Sequence, residues 1–212
     1  MNFYLSPYSN AALNLAIEEI LLKNSDEEFV ILYRNSSSII CGKHQNTLAE
    51  VNYPKVIDDN IPVFRRISGG GTVYHDKGNI NFALILNVHG ANKVDFKKYT
   101  GPVYSFLCSY SLPVSYGKRN EILLNGMKIS GNAEHIHKNR VLHHGTLLFD
   151  TDLDALTQYL KTDLFSYSDK SSKSVRSKVC NIGEYLQKIT VVEFIEEMGD
   201  YLKSELKASV YD

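Results

Sequence analysis

Two places in the chain hold residue types that can do chemistry. The first is Arg65-Arg66-Ile67-Ser68-Gly69-Gly70-Gly71-Thr72-Val73-Tyr74-His75-Asp76. Three adjacent glycines lose much conformational entropy when they are ordered. Such a run is useful where backbone must approach a ligand closely, or where successive N–H groups must converge on an anion. A hairpin turn needs only one or two. Arg65 and Arg66 before the glycines fit the same anion site, with the polar pair His75 and Asp76 after them. The second place is Lys128, with Gly131 close behind it to permit near approach of a ligand. Each has a plainer alternative: a glycine-rich surface hairpin with solvated charges, and a strand lysine that snorkels to water. No GxxxxGK[ST] occurs, and a strand rather than a helix follows the glycines. Neither a P-loop nor a dinucleotide-binding turn fits.

These residues need elements to hold them. Ile61 and Val63 precede the glycines, and Ile80, Phe82, Leu84 and Leu86 follow; both flanks alternate as strands do. Glu121 to Ser130 predicts a hairpin around Asn125-Gly126, with Lys128 opposite Leu123. Residues 10–23 predict a helix capped by Asn10, with Leu13, Ile17, Ile20 and Leu21 as its buried stripe. Residues 29–33 and 38–42 predict strands, and Gly42 to Asn46 a polar loop. Residues 96–107 predict a helix interrupted near Gly101-Pro102. His135 and His137 fall on an expected exposed loop, and Thr146 to Phe149 on a strand opened by His144-Gly145. With His143, these histidines crowd one stretch, but no cysteine or well-spaced carboxylate joins them as a metal site would need. Thr151 with Asp154 predicts the start of a helix burying Leu153, Leu156 and Leu160. Residues 162–180 are rich in Ser, Lys and Asp and predict a mobile surface loop. Thr190 and Glu193 form a capping box for a last helix, with Phe194, Ile195, Met198, Tyr201 and Leu202 inward.

Composition bounds the class. The 212 residues are 43% hydrophobic with a formal net charge of −1, which predicts one globular domain over 1–212 without repeat or linker. No basic tract marks a nucleic-acid binder. Cys41, Cys108 and Cys180 have no metal spacing and cannot all pair within one chain, which points to a reducing compartment. The first residues lack the layout of a signal peptide, and no apolar run is long enough to span a bilayer. The expectation is a cytoplasmic protein with no membrane partner.

Four blocks in order resemble the lipoate–protein ligase A family of the biotin/lipoate ligase superfamily. They are Arg65-Arg-x-Ser-Gly-Gly-Gly-x-Val-Tyr-His-Asp-x-Gly-Asn79, Lys128-Ile-Ser-Gly-Asn-Ala133, His143-His-Gly-Thr-Leu147 and Ser174-Val-Arg-Ser-Lys-Val-Cys-Asn181. The resemblance implies an α+β domain, mixed β-sheet with flanking helices, of the class II synthetase-like catalytic type. It implies an ATP-dependent reaction in which lipoate becomes lipoyl-AMP and the lipoyl group passes to a lysine of an acceptor lipoyl domain. Acceptors would be lipoyl domains of 2-oxoacid dehydrogenase complexes or the glycine cleavage H protein. Lys128 falls on the family's catalytic lysine and Arg66 on its adenylate-binding arginine, while strand geometry turns Arg65 away. Ser68, Gly69, Gly70, Gly71, His75, Asn79, Gly131, Ala133, His144 and Gly145 fall on the acyl and phosphate cleft. Asn120 matches a polar position near the phosphates, and Arg176 the loop that covers the nucleotide. Mg2+ is implied with ATP, bound through phosphate oxygens. Glu121 stands where bacterial ligases of this type carry Asp, and its extra methylene shifts the carboxylate that the resemblance would offer such a metal.

The family usually continues into a smaller C-terminal domain, and the expectation here is a catalytic domain without it. A separate accessory protein, a self-sufficient chain, and a transfer-only enzyme are the three explanations. An octanoyl or lipoyl acyltransferase with a cysteine thioester is the rival chemistry. Ser115 to Met127, where one such branch keeps its nucleophile, holds no cysteine, and Cys41 and Cys108 sit in apolar settings; Cys180 is then the thiol to weigh.

Overall fold

The strand Asn79–Asn87 runs through the middle of the largest sheet, and residues 79–85 are buried on both faces. The computed structural model describes residues 1–88, 94–160, 170–186 and 188–211. In chain order the elements are β1 (Asn2–Leu5), α1 (Ala11–Asn24), β2 (Phe29–Tyr33), β3 (Ser38–Cys41), α2 (Thr47–Glu50), α3 (Tyr53–Asp58), β4 (Val63–Arg65), β5 (Val73–His75), β6 (Asn79–Asn87) and α4 (Phe96–Ser109). There follow β7 (Val114–Tyr116), β8 (Ile122–Leu124), β9 (Met127–Ser130), β10 (Asn132–His137), β11 (Arg140–Leu148), α5 (Leu153–Tyr159), α6 (Val191–Glu205) and β12 (Ser209–Val210). The large sheet has the order β10-β11-β6-β2-β1-β12; β1 is parallel to both neighbours and the other pairs are antiparallel. Two three-stranded sheets, β4-β3-β5 and β7-β8-β9, stand beside it. The architecture is α+β with mixed sheet and flanking helices.

Alternation along β2 and β6 divides two cores. Val30, Leu32, Phe82 and Leu84 face α4 and α6, meeting Phe106, Leu107, Phe194 and Met198. Phe29, Ile31, Ala83 and Ile85 face the other way, against Leu22 of α1. A third cluster, with Ile39, Val56, Tyr74 and Tyr159, joins the small β4-β3-β5 sheet to α3 and α5.

Several expectations need correction. The glycine run is not the surface hairpin of the plainer alternative, because β4 and β5 both pair with β3, one parallel and one antiparallel. Pro102 sits inside α4 without interrupting it; the preceding Gly101 has no Cβ to clash with the proline ring, so it keeps helical geometry. His135 and His137 lie on strand β10, and β11 begins at Arg140 rather than near His144, because Lys138 takes a positive φ that closes a β10–β11 turn. Asp152, not Thr151, caps α5 by accepting the Ala155 N–H. In α1 the buried face is Ala11, Asn14, Glu18 and Leu22, while Leu13 and Ile20 of the expected stripe are exposed.

Candidate active site

Arg66 follows β4 directly and is 8% exposed. Nη2 donates to the carbonyls of Gly69 (2.6 Å) and Gly71 (2.7 Å), Nη1 to Ile40 O (3.1 Å), and Nε to Ser68 Oγ (3.0 Å). One cation thus collects the carbonyls of the glycine run and turns the loop around itself. Burial lowers its pKa to about 10, which leaves it charged at neutral pH. Arg65 turns the other way and donates to the carbonyls of Gly42 (2.7 Å) and Gln45 (2.9 Å), so only one of the two arginines reaches the cleft. Glycine is required where loops meet: Gly70 has φ +87, and a Cβ at Gly42 would stand 2.1 Å from Gly70 O.

Beneath the loop lies a second polar chain. His144 Nδ1 donates to Glu18 Oε2 (2.8 Å), Tyr33 Oη donates to Glu18 Oε1 (2.9 Å), and Ser68 Oγ bridges His144 Nε2 (2.6 Å) to Arg66. Glu18 is 2% exposed and belongs to α1. His143 points to the opposite face of β11, bonded to Glu134 (2.9 Å) and Thr100 (3.0 Å) under α4. Adjacent histidines on one strand therefore serve different networks. Among the described residues no group of three His, Cys, Asp or Glu is placed to hold a metal ion.

Above this floor opens a cavity of about 400 Å³, lined by Arg66, Gly70, Gly71, His75, Lys128, Gly131, Ala133, His144 and Gly145. Lys128 lies on β9 after the turn Asn125-Gly126, both with positive φ, and faces Leu123 across the hairpin as expected. Burial pulls its ammonium below the ordinary lysine range, opposed by Glu121. The side chain folds over Gly131, where a Cβ would lie 3.1 Å from Nζ. Lys128 also lines a neighbouring cavity of about 320 Å³, with Tyr74, Leu148, Leu156 and Arg176. It therefore stands between two chambers.

Other expected site residues fall elsewhere. Ser68 is fully buried beneath the cavity. Gly69 gives its carbonyl to Arg66 and does not line the cavity. Asn79 is fully buried and donates to Asn81 Oδ1; Asn81, two residues along the strand and on the same face, reaches the cavity in its place. Asn120 occupies a positive-φ turn and gives its carbonyl to Asn132 Nδ2, while Arg119 and Glu121 on either side line the cavity. Cys41 and Cys180 are buried with thiol pKa values raised by burial; Cys108 is exposed, against expectation, and none of the three lines either cavity.

The resemblance placed a covering loop at Ser174 to Asn181, but the sequence reading missed the bonds that hold it as a strap. Of the expected mobile loop, residues 162–169 lie outside the described residues, but 170–180 run across the cleft. Ser174 Oγ accepts the Thr72 N–H (3.0 Å) and Gln45 Nε2–H (2.9 Å), and Ser174 N donates to Glu50 Oε1 (3.1 Å). Farther on, Lys178 O accepts Lys128 N–H (2.8 Å), and Val179 bridges Lys128 in parallel. Also missed were Glu18 and Asn14 of α1, polar residues four apart within an apolar helix. That spacing was the signal for them, since it places both on one face.

The family described as Lipoyl protein ligase A/B catalytic domain matches residues 10–203. Lipoate-protein ligase LplJ of Bacillus subtilis is 44% identical over 185 residues, which cover 86% of this chain and 56% of that protein. LipL1 of P. falciparum, solved in complex with lipoate, superposes with a TM-score of 0.83 at 27% identity, covering 99% of this chain and 65% of that one. A lipoate-protein ligase A bound with ATP superposes with a TM-score of 0.83 at 23% identity, over 100% of this chain and 90% of that one, a likeness of fold alone. The chain spans about three fifths of the length of the curated relatives it matches.

Proposed function

Because this chain belongs to the lipoyl protein ligase A/B catalytic-domain family, we propose that it joins lipoate to a lysine of an acceptor lipoyl domain through lipoyl-AMP. The observation that carries this reading is Lys128, one ammonium lining both chambers. The larger chamber takes the acyl group and the smaller takes the nucleotide. Lys128 then stands where a carboxylate must meet the α-phosphate of ATP. Those two anions repel each other, and further negative charge develops at phosphorus; a fixed cation in a site shielded from water offsets both. Carboxylate oxygen attacks the α-phosphorus, the bond to pyrophosphate breaks, and lipoyl-AMP remains. The acceptor lysine amine then attacks the acyl carbonyl, and AMP leaves with the electron pair of the broken C–O bond.

Mg2+ would enter with ATP and neutralise phosphate charge. Glu121 is the one carboxylate lining the main cavity among the described residues, so phosphate oxygens and water would supply most ligands. Ser174 and Arg176 on the strap would cover the nucleotide. A thioester route has little support, because no cysteine lines either chamber and burial keeps Cys180 in its thiol form.

The test is modification of an acceptor domain, read by mass spectrometry, from lipoate with Mg-ATP and separately from synthetic lipoyl-adenylate. Transfer from the adenylate is expected to be faster than transfer from free lipoate with Mg-ATP. Attack on a bound mixed anhydride needs chiefly orientation, whereas adenylation must also fix ATP in line with the carboxylate. Failure from both donors would overturn the ligase reading. Lys128→Ala should lower ligation by roughly a hundredfold, the scale of losing one transition-state donor. Retained turnover would remove Lys128 from that role.

A further inference from the structure

His75 lies on β5, is 4% exposed and lines the main cavity. Its Nδ1 meets Asn35 Nδ2 at 3.0 Å, and its Nε2 meets no hydrogen-bond partner among the described residues. A buried ring nitrogen without a partner is costly to leave that way.

The direction of every bond behind it can be worked out. Asn14 Nδ2 lies 3.0 Å from Tyr8 O, a carbonyl that can only accept. That fixes the Asn14 amide, whose Oδ1 accepts from Ser6 Oγ (2.6 Å). The same Asn14 Nδ2 lies 2.8 Å from Asn35 Oδ1, so the Asn35 amide is fixed too and presents its NH2 group to His75. Nδ1 must then accept, and the hydrogen of the neutral ring sits on Nε2.

We propose that Asn14 and Asn35 are positioning residues that hold His75 as a neutral Nε2–H donor aimed at an acceptor atom of the acyl substrate. The proposal rests on the functional reading above for the identity of that substrate. The relay itself does not depend on it. Burial, and next the Arg66 charge, depress the His75 pKa to about 3, so the ring stays neutral throughout the physiological range. A neutral ring has one hydrogen to place, and the relay decides where it goes. The acceptor is either a carboxyl oxygen or a ring sulfur of lipoate, since a donor of this kind serves both.

The decisive measurement is 15N NMR of histidine-labelled protein. The parent should show His75 with a bare Nδ1 and a protonated Nε2, and the Nε2 proton should move downfield and exchange more slowly when lipoate is added. A ring protonated at Nδ1, or a proton that does not respond to bound lipoate, overturns the proposal without any variant being made. Asn35→Asp keeps the shape but offers Nδ1 an acceptor, so it should draw the hydrogen to Nδ1. Recorded near pH 9, well above the ordinary histidine range, it should show that tautomer with lipoate affinity reduced tenfold or more by calorimetry. Octanoate is the second ligand: equal losses place the bond at the carboxyl oxygen, and a loss confined to lipoate places it at sulfur. A changed tautomer with both affinities unchanged would overturn the proposal. If the parent binds neither acid, the functional reading falls, and the parent tautomer still decides whether the relay sets the ring.

Discussion

Helices α1 and α6 pack on opposite faces of the same sheet, and their sequences invite the same treatment. In α6 the apolar residues go inward: Phe194, Ile195, Met198 and Leu202 are buried, with Thr190 and Glu193 forming the capping box at its start. In α1 the rule is broken. Leu13 and Ile20 face solvent at 49% and 56% exposure, while Asn14 and Glu18 are each 2% exposed. The difference lies in what each helix covers. α6 lies over apolar side chains of β2 and β6, so apolar burial sets its rotation. α1 lies behind the cleft, where Glu18 receives His144 and Tyr33 while Asn14 orients the His75 relay. Buried polar groups with all partners made cost little, and the same groups without partners cost much. Asn14 and Glu18 therefore set the rotation of α1, although Leu13 and Ile20 are left in water.

Substitutions should separate the two helices. The largest effect is expected from Phe194→Ala, which empties a fully buried site. A loss of about 3–5 kcal/mol in unfolding free energy is expected, with lipoate affinity unchanged in the fraction that stays folded; chemical denaturation and calorimetry check the two halves. Glu18→Leu should do the reverse. It leaves the His144 Nδ1–H and the Tyr33 hydroxyl without an acceptor at a cost of about 2 kcal/mol, but acyl-substrate affinity should fall by more than that loss explains. Equal behaviour of the two variants would erase the distinction between a packing helix and a site helix.

Acid should sharpen it next. The folded pKa of His75 is about 3, below the ordinary histidine value. The unfolded chain therefore binds a proton that the folded chain refuses. The stability from neutral His75 is full above about pH 6.5 and is lost as pH falls toward 3, at up to about 1.4 kcal/mol per pH unit. His143, also held below its ordinary range by burial, adds to the same slope. His75→Gln should flatten the pH dependence of unfolding free energy by close to one proton, whereas substitutions in α6 should leave the slope alone. The smallest effect is expected at Leu13→Lys, within about 0.5 kcal/mol of the parent because the residue is exposed. A loss of several kcal/mol there would mean that the outer face of α1 is covered in solution.

Local chemistry was legible wherever a short stretch decides its own conformation. Asn125-Gly126 turns as its residue types require, Asn10 and Thr190 cap their helices, and the alternation of Arg65 and Arg66 correctly sends only the second into the cleft. The motif blocks also identified Lys128, His75 and His144 as residues of one cavity. Where the sequence reading failed, the competing partner lay far along the chain. Gly69 and Asn79 sit within their motif yet outside the cavity, because Arg66 draws one inward by its carbonyl and Asn81 holds the other. The segment 170–180 has the composition of a free loop, but Ser174 finds Gln45, Glu50 and Thr72 more than a hundred residues away.

The sequence by itself determined several of the elements, the caps Asn10 and Thr190, the family and the chemical types at the site. Those depend on interactions spanning a few residues, or on motifs whose order is visible along the chain. Only the tertiary structure decided which face of α1 is buried, which nitrogen of each cleft histidine carries the proton, and that Lys128 stands between two chambers. The hydrogen bond from His144 to Glu18 crosses 126 positions. No periodicity records such a pairing, because the free energy of a buried polar group depends on the partner that folding brings to it.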